Sequence, residues 1–287
     1  MNMMVGRLLP WTIAWLCATG CAAHAARPSI GTLPGTAPGP SSSAAPPREW
    51  NTRVALHGRA LTLHLSAPDG PRADAPLVLY ASGDGGWFGT AVTMFRTIGA
   101  SGAPVVGFST RAFLKIEQAA REPLTAAHVA GTYGEILAAA LRALALPPDR
   151  QVVLTGWSRG ASLAVLAASR PEVDREVTGV VAIGLPRDEQ LDLAPGDDDE
   201  APLATVPARP VPVYALIAAL APRRCAVVQA SHDQYLPASE ARALFGPDAD
   251  TRWFIEVPAK NHRFAGGQVA FEHALVDAVG WASGGSR

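Results

Sequence analysis

Apolar residues fall into short runs separated by stretches with helical spacing, an alternation that begins near Trp50 and continues to the C-terminus. Residues 53–57 and 61–65 are brief runs joined across Gly58, which predicts an antiparallel hairpin. The runs 76–81, 104–108, 152–155, 177–183, 225–230 and 253–257 are mostly near-continuously apolar and rich in Val. Strands buried on both faces read this way, because helices cover a parallel sheet above and below. Helices are predicted at 87–98, 123–146, 161–168, 237–245 and 267–281. In the second, Val129, Tyr133, Ile136, Leu137, Leu141 and Leu144 recur at helical spacing and mark the face that packs. Strand and helix in alternation predict an α/β fold, a mostly parallel sheet with helices on both faces. There is no internal repeat.

Two regions break the pattern. At the N-terminus, Arg7 precedes a short apolar core and then small residues, as in a secretory signal peptide over residues 1–25. Pro10 and the short length argue against a membrane span. Two processing sites compete: Ala23-His24-Ala25 for a released protein, and Ala18-Thr19-Gly20-Cys21, which resembles a bacterial lipobox and would make Cys21 a lipid-bearing N-terminus. Residues 26–49 read as a tether: of the 22 residues 27–48, six are Pro, four Ser and three Gly. Too little apolar surface is present there to offset the entropy of ordering the chain. A periplasmic location, with a lipid anchor through Cys21, is the expectation. The second break is an acidic, proline-bearing insertion at 187–209 within the domain 50–287, read as a surface loop ahead of a lid.

Composition narrows the partners. A formal net charge of -1 argues against nucleic acid, whose phosphates demand a basic surface. Three cysteines, Cys17, Cys21 and Cys225, form no disulfide framework, and Cys225 reads as a small buried apolar residue in a strand.

The chemistry centres on Gly156-Trp157-Ser158-Arg159-Gly160, a G-x-S-x-G motif directly after an apolar strand and at the start of an Ala- and Leu-rich helix. That setting is a nucleophile elbow, which lifts the Ser158 hydroxyl above the sheet at a helix N-terminus. A serine hydroxyl needs a base, and in such folds the partners follow in the order Ser, acid, His. Asp233, three residues past the strand 225–230, stands where the acid belongs, with Asp248 and Asp250 as alternatives. His262, between the last strand and the last helix, is the expected base. The oxyanion hole should combine the backbone N–H of Arg159 with one from the loop Ser82-Gly83-Asp84-Gly85-Gly86-Trp87, either Asp84 or Gly85. No Lys-Ser/Thr pair follows those glycines, so a phosphate-binding loop is disfavoured. A triad of this kind works without metal or cofactor, and none is expected.

The glycine-tryptophan loop at 82–87, the elbow at Ser158 and the late Asn261-His262-Arg263-Phe264 together resemble the AcvB/VirJ family of bacterial virulence-associated proteins, over residues 76–283. The resemblance implies an α/β-hydrolase fold, a periplasmic location, hydrolysis of aminoacyl-phosphatidylglycerol to free amino acid and phosphatidylglycerol, and a link to type IV secretion. It implies a membrane phospholipid as substrate, and it places Ser158, Asp233 and His262 in the catalytic positions. The sequence departs from it at Trp157 and Arg159, where members often carry Tyr and Phe, and in the acidic insertion. Asp84, Trp87 and Arg159 are the expected substrate-binding residues, Arg159 towards a lipid phosphate and Asp84 towards an amine. A turn-stabilising role for Asp84 fits equally. The competing readings are a periplasmic carboxylesterase with a soluble substrate and a secretion-associated accessory protein.

Overall fold

In the computed structural model the chain is described over residues 46–70, 75–121, 123–173, 177–191 and 209–287. The signal-peptide and lipobox residues, nearly all of the tether, and positions 192–208 of the insertion lie outside these residues. The first hairpin pairs β1 (Arg48–Leu56) with β2 (Arg59–Ala67). β1 takes in Arg48 and Glu49, assigned to the tether on sequence, because they pair with Ala67 and Ser66. There follow β3 (Leu77–Ala81), α1 (Thr90–Ala100), β4 (Val105–Phe108), α2 (Thr110–Ala120), α3 (Ala126–Ala143), β5 (Val152–Trp157), α4 (Arg159–Ala168) and β6 (Val177–Ile183). Next come β7 (Asp188–Glu189), β8 (Val211–Pro212), α5 (Val213–Ile217), β9 (Arg224–Ala230), α6 (Ala238–Phe245), β10 (Arg252–Val257) and α7 (Gln268–Ala282).

Eight strands form one sheet in the order β1-β2-β4-β3-β5-β6-β9-β10. β2 runs antiparallel to both neighbours, and every pair from β4 to β10 is parallel. The pleat sends alternate side chains to opposite faces. Leu77, Leu79, Val106, Phe108, Leu154 and Val227 meet α2 to α6 on one side. Val78, Tyr80, Val105, Val153, Val181 and Val228 meet α1 and α7 on the other. Both faces are covered, which is why these strands read as apolar without alternation. Cys225 is one of the covered residues, and burial pushes its thiol up to about 12.

α2 is a helix that hydrophobic spacing did not predict. It starts cleanly, since the Ser109 hydroxyl accepts from the Ala112 N–H at 3.2 Å. Its buried face mixes Phe113, Leu114 and Ile116 with Thr110 and a fully buried Glu117, so its apolar stripe is interrupted. Glu117 accepts from Thr132 Oγ1 at 2.9 Å and lies 2.8 Å from His57 Nε2, tying α2 to α3 and to the hairpin turn. Phe113 also meets Phe108 and Tyr133, with ring centroids 5.5–5.7 Å apart among the three. Phe108→Ala should therefore cost about 3–5 kcal/mol, because the cavity would open between a strand and two helices. A urea titration should show this as a lower midpoint at unchanged slope.

Candidate active site

The β5–α4 turn is tighter than side chains normally allow. Ser158 sits at φ 57°, ψ -124°, a strained backbone for a residue with a Cβ, and held in place by its N–H bond to the Ile183 carbonyl at 2.8 Å. The flanking glycines make the turn possible. A Cβ on Gly156 would lie 2.1 Å from the Gly160 carbonyl oxygen, and one on Gly160 would lie 2.3 Å from the carbonyl oxygens of Ala81 and Ser82. Arg159 becomes the first residue of α4, whose start collects amide dipoles that favour negative charge. The loop after β3 passes beside it. A Cβ on Gly83 would reach to 3.4 Å from that of Ser158, and the Gly86 N–H closes a turn on the Gly83 carbonyl at 3.1 Å.

The loops after β9 and β10 bring Asp233 and His262 together. His262 Nδ1 lies 2.6 Å from Asp233 Oδ2, and both residues are buried. Asp233 Oδ2 also accepts from Gln229 Nε2 at 3.1 Å, and its Oδ1 from the Tyr235 N–H at 2.9 Å. A carboxylate surrounded by donors accepts, so Nδ1 of His262 carries the proton and Nε2 presents a lone pair. Nε2 is buried and has no hydrogen-bond partner. The ring is held from three sides. Trp157 stacks on it at 5.4 Å, Tyr235 meets it edge-on at 5.0 Å, and a Cβ on Gly184 would stand 2.7 Å from its Cε1. The His262 backbone is fixed as well, donating to Gln234 Oε1 at 3.0 Å and accepting from Trp157 Nε1 at 3.2 Å.

Asp248, the alternative acid, instead pairs with Arg242 at 2.6 Å and accepts from the Phe254 N–H. Ser158, His262, Asp84, Gly85 and Arg159 all line one cleft of about 810 Å³. Phe88 and Tyr235, exposed to 66% and 71%, line it too.

Two expectations about substrate contacts change. Trp87 is absent from this cleft's lining. Its half-buried ring borders a separate recess, stacked on His64 at 4.1 Å and edge-on to Phe95 at 5.2 Å, in space that Gly107 leaves by lacking a Cβ. Phe88, its neighbour, takes the place at the cleft. Arg159 and Asp84, expected to face separate charges on a substrate, face each other at 3.0 Å. Arg159 Nε also donates to Glu189 Oε1 at 2.7 Å, and its Nη2 to the Gln190 carbonyl.

Glu189 was missed on sequence, where it is one acidic residue at the edge of an acidic insertion. The β7–β8 pair, Asp188 to Pro212 and Glu189 to Val211, closes the base of that insertion and brings Glu189 to 4% exposure. Such a contact between distant residues leaves no local signal. Burial pushes the Glu189 carboxyl up to about 7, against the opposing pull of the Arg159 guanidinium.

No family model matches the chain, and no curated protein sequence matches it. Solved structures do. Est1E from Butyrivibrio proteoclasticus is 14% identical at TM-score 0.55, covering 79% of this chain and 96% of its own. XC6422 from Xanthomonas campestris, described as an α/β serine hydrolase without lid, is 15% identical at TM-score 0.56, covering 83% and 97%. A dienelactone hydrolase from Anabaena variabilis is 18% identical at TM-score 0.51, covering 81% and 97%. With the strand order above, these likenesses establish the α/β-hydrolase fold. At such identities they establish the fold alone, and the AcvB/VirJ resemblance rests on the residues quoted for it.

The raised Glu189 carboxyl has a consequence for stability. The folded state holds this proton at pH values where the unfolded chain, with a carboxyl near 4.5, has released it. Its stabilising contribution is therefore full below about 4.5 and lost as pH rises through about 7. Measured against Glu189→Gln, the wild type should lose up to roughly 3 kcal/mol across that window and change little above it. Urea midpoints of both proteins at intervals from about pH 4, near the unfolded carboxyl, to about 8, above the folded one, would read the difference.

Proposed function

We propose that the chain is a serine esterase, with Ser158 as nucleophile, His262 as base and Asp233 as the acid that orients it. One observation carries this: His262 bonds Asp233 through Nδ1 at 2.6 Å, its buried Nε2 is left without a partner, and His262 and Ser158 line the same cleft. In this reading Nε2 takes the Ser158 proton as Oγ attacks the ester carbonyl, and Asp233 stabilises the resulting imidazolium. The oxyanion is met by the Arg159 N–H and an amide of the Gly83-Asp84-Gly85 loop. His262 returns the proton to the leaving alcohol, and water then releases the acid by the same route. The descriptions of two neighbouring structures, as a dienelactone hydrolase and an α/β serine hydrolase, support ester hydrolysis as the reaction.

The substrate proposed is aminoacyl-phosphatidylglycerol in the periplasm, as the AcvB/VirJ resemblance implies, with the protein tethered through Cys21. The exposed rings of Phe88 and Tyr235 on the cleft lining offer apolar surface suited to a lipid. A carboxylesterase with a soluble, neutral substrate is the second reading. The Arg159–Asp84 pair favours it, because the two side chains expected to meet charges on a lipid substrate are instead engaged with each other.

Ser158→Ala should lower kcat on an activated ester by about 10⁶, the scale of the subtilisin triad, with unchanged thermal stability. Retention of a tenth of wild-type activity would remove the elbow from the mechanism. Purified protein should release amino acid from vesicles of aminoacyl-phosphatidylglycerol, and mass spectrometry of the lipid should show phosphatidylglycerol accumulating. Turnover of short neutral esters with intact aminoacyl lipid would select the second reading.

A further inference from the structure

We propose that Glu189 is a positioning residue for this site: through Arg159 it clamps the oxyanion loop to the nucleophile turn, so that the loop's amides stay aimed at the reacting carbonyl. The proposal rests on the esterase reading and extends it to a residue outside the triad. Arg159 follows the nucleophile, and its guanidinium spans two other segments. Nε reaches Glu189 at 2.7 Å, Nη1 reaches Asp84 at 3.0 Å, and Nη2 meets the Gln190 carbonyl. Asp84 lies inside the turn closed by Gly86 on Gly83, the segment that passes beside Ser158.

The two carboxylates differ in setting. Asp84 is 68% exposed, so its pair with Arg159 is screened and is a weak hold by itself. Glu189 is buried beside α4, where a charge pair is screened much less, and it fixes the direction of the planar guanidinium. The groups that face Glu189 are Arg159 and Ser162 from α4, Asp84 from the oxyanion loop and Tyr133 from α3. Of these Arg159 is the only cation. Protonating Glu189 removes the fixed end of the clamp and leaves Arg159 to Asp84 and the Gln190 carbonyl. The carboxyl's rise to about 7 puts that loss in the range where the enzyme would work.

The test uses the full exported protein and a small neutral ester. Glu189→Gln should lower kcat on the order of tenfold to a hundredfold, the cost of a slight misplacement, with KM within about twofold. A purely structural role would not alter the pH profile, so that profile decides. In the wild type, kcat should fall by an additional factor on the order of tenfold to a hundredfold, the cost of the same misplacement, as pH drops through about 7 and Glu189 takes up its proton. Glu189→Gln should lack that step. Glu189→Asp, which keeps the charge at shorter reach, should recover part of kcat and part of the step. A wild-type profile parallel to that of Glu189→Gln at every pH, or unchanged kcat in Glu189→Gln, overturns the proposal. Where Glu189→Gln does not fold, Asp84→Asn decides from the exposed end of the clamp. It should lower kcat on neutral and cationic esters alike, and a loss confined to cationic esters makes Asp84 a substrate contact and overturns the clamp. A wild type without Ser158-dependent turnover removes the esterase reading itself, and this extension with it.

Discussion

The crossing of the β5–α4 turn beneath the end of β3 is the constraint on which the site depends. The carbonyls of Ala81 and Ser82 come so close to Gly160 that no Cβ fits between them, and Gly156 is under the same pressure from Gly160. That contact pins the start of α4 to the mouth of the sheet and drives Ser158 into a positive φ. It also sets the loop after β3 next to Ser158, since the same two residues that press on Gly160 lead directly into Gly83 and Asp84. The strain at Ser158, on the order of 1–3 kcal/mol, survives because the covered sheet on either side leaves the turn nowhere to relax.

Around that turn, buried polar groups set the remaining geometry. Asp233 is out of water and bonds the Gln229 side chain, the Tyr235 N–H and the His262 ring. Glu189 is also out of water, and its burial outweighs its pairing with Arg159, so its carboxyl rises. The two buried carboxylates have different partners: Asp233 lies against the His262 ring and Glu189 against the Arg159 guanidinium.

The sheet was legible in the chain because burial on both faces leaves a mark that is local: Val-rich runs such as 177–183, ended by glycine or a turn. Ser158, Asp233 and His262 could be singled out as candidates because each follows the end of a strand, in the chain order Ser, acid, His. α2 escaped because a buried Glu117 and Thr110 interrupt its apolar stripe, and only the His57 and Thr132 partners make those positions tolerable. Trp87 misled for a related reason. A tryptophan in a glycine loop near a G-x-S-x-G motif reads as a contact surface, and nothing in its own segment reveals that Gly107 leaves room for its ring away from the Ser158 cleft.

The sequence by itself determined the order of strands and helices, the glycine-flanked elbow, and the loops from which an acid and a base could come. These depend on periodicity and on residue types within a few positions of one another. The partners of charged side chains were decided only by tertiary structure. Arg159 could have met a substrate phosphate, Asp84 an amine, and Glu189 solvent, and each of those outcomes is compatible with the same local sequence. The closing of β7 on β8 buries Glu189 against Arg159, and Arg159 reaches Asp84 across residues 75 positions apart. A charge's preference is settled by desolvation and by the nearest opposite charge, and both are properties of the packed molecule rather than of any segment of it.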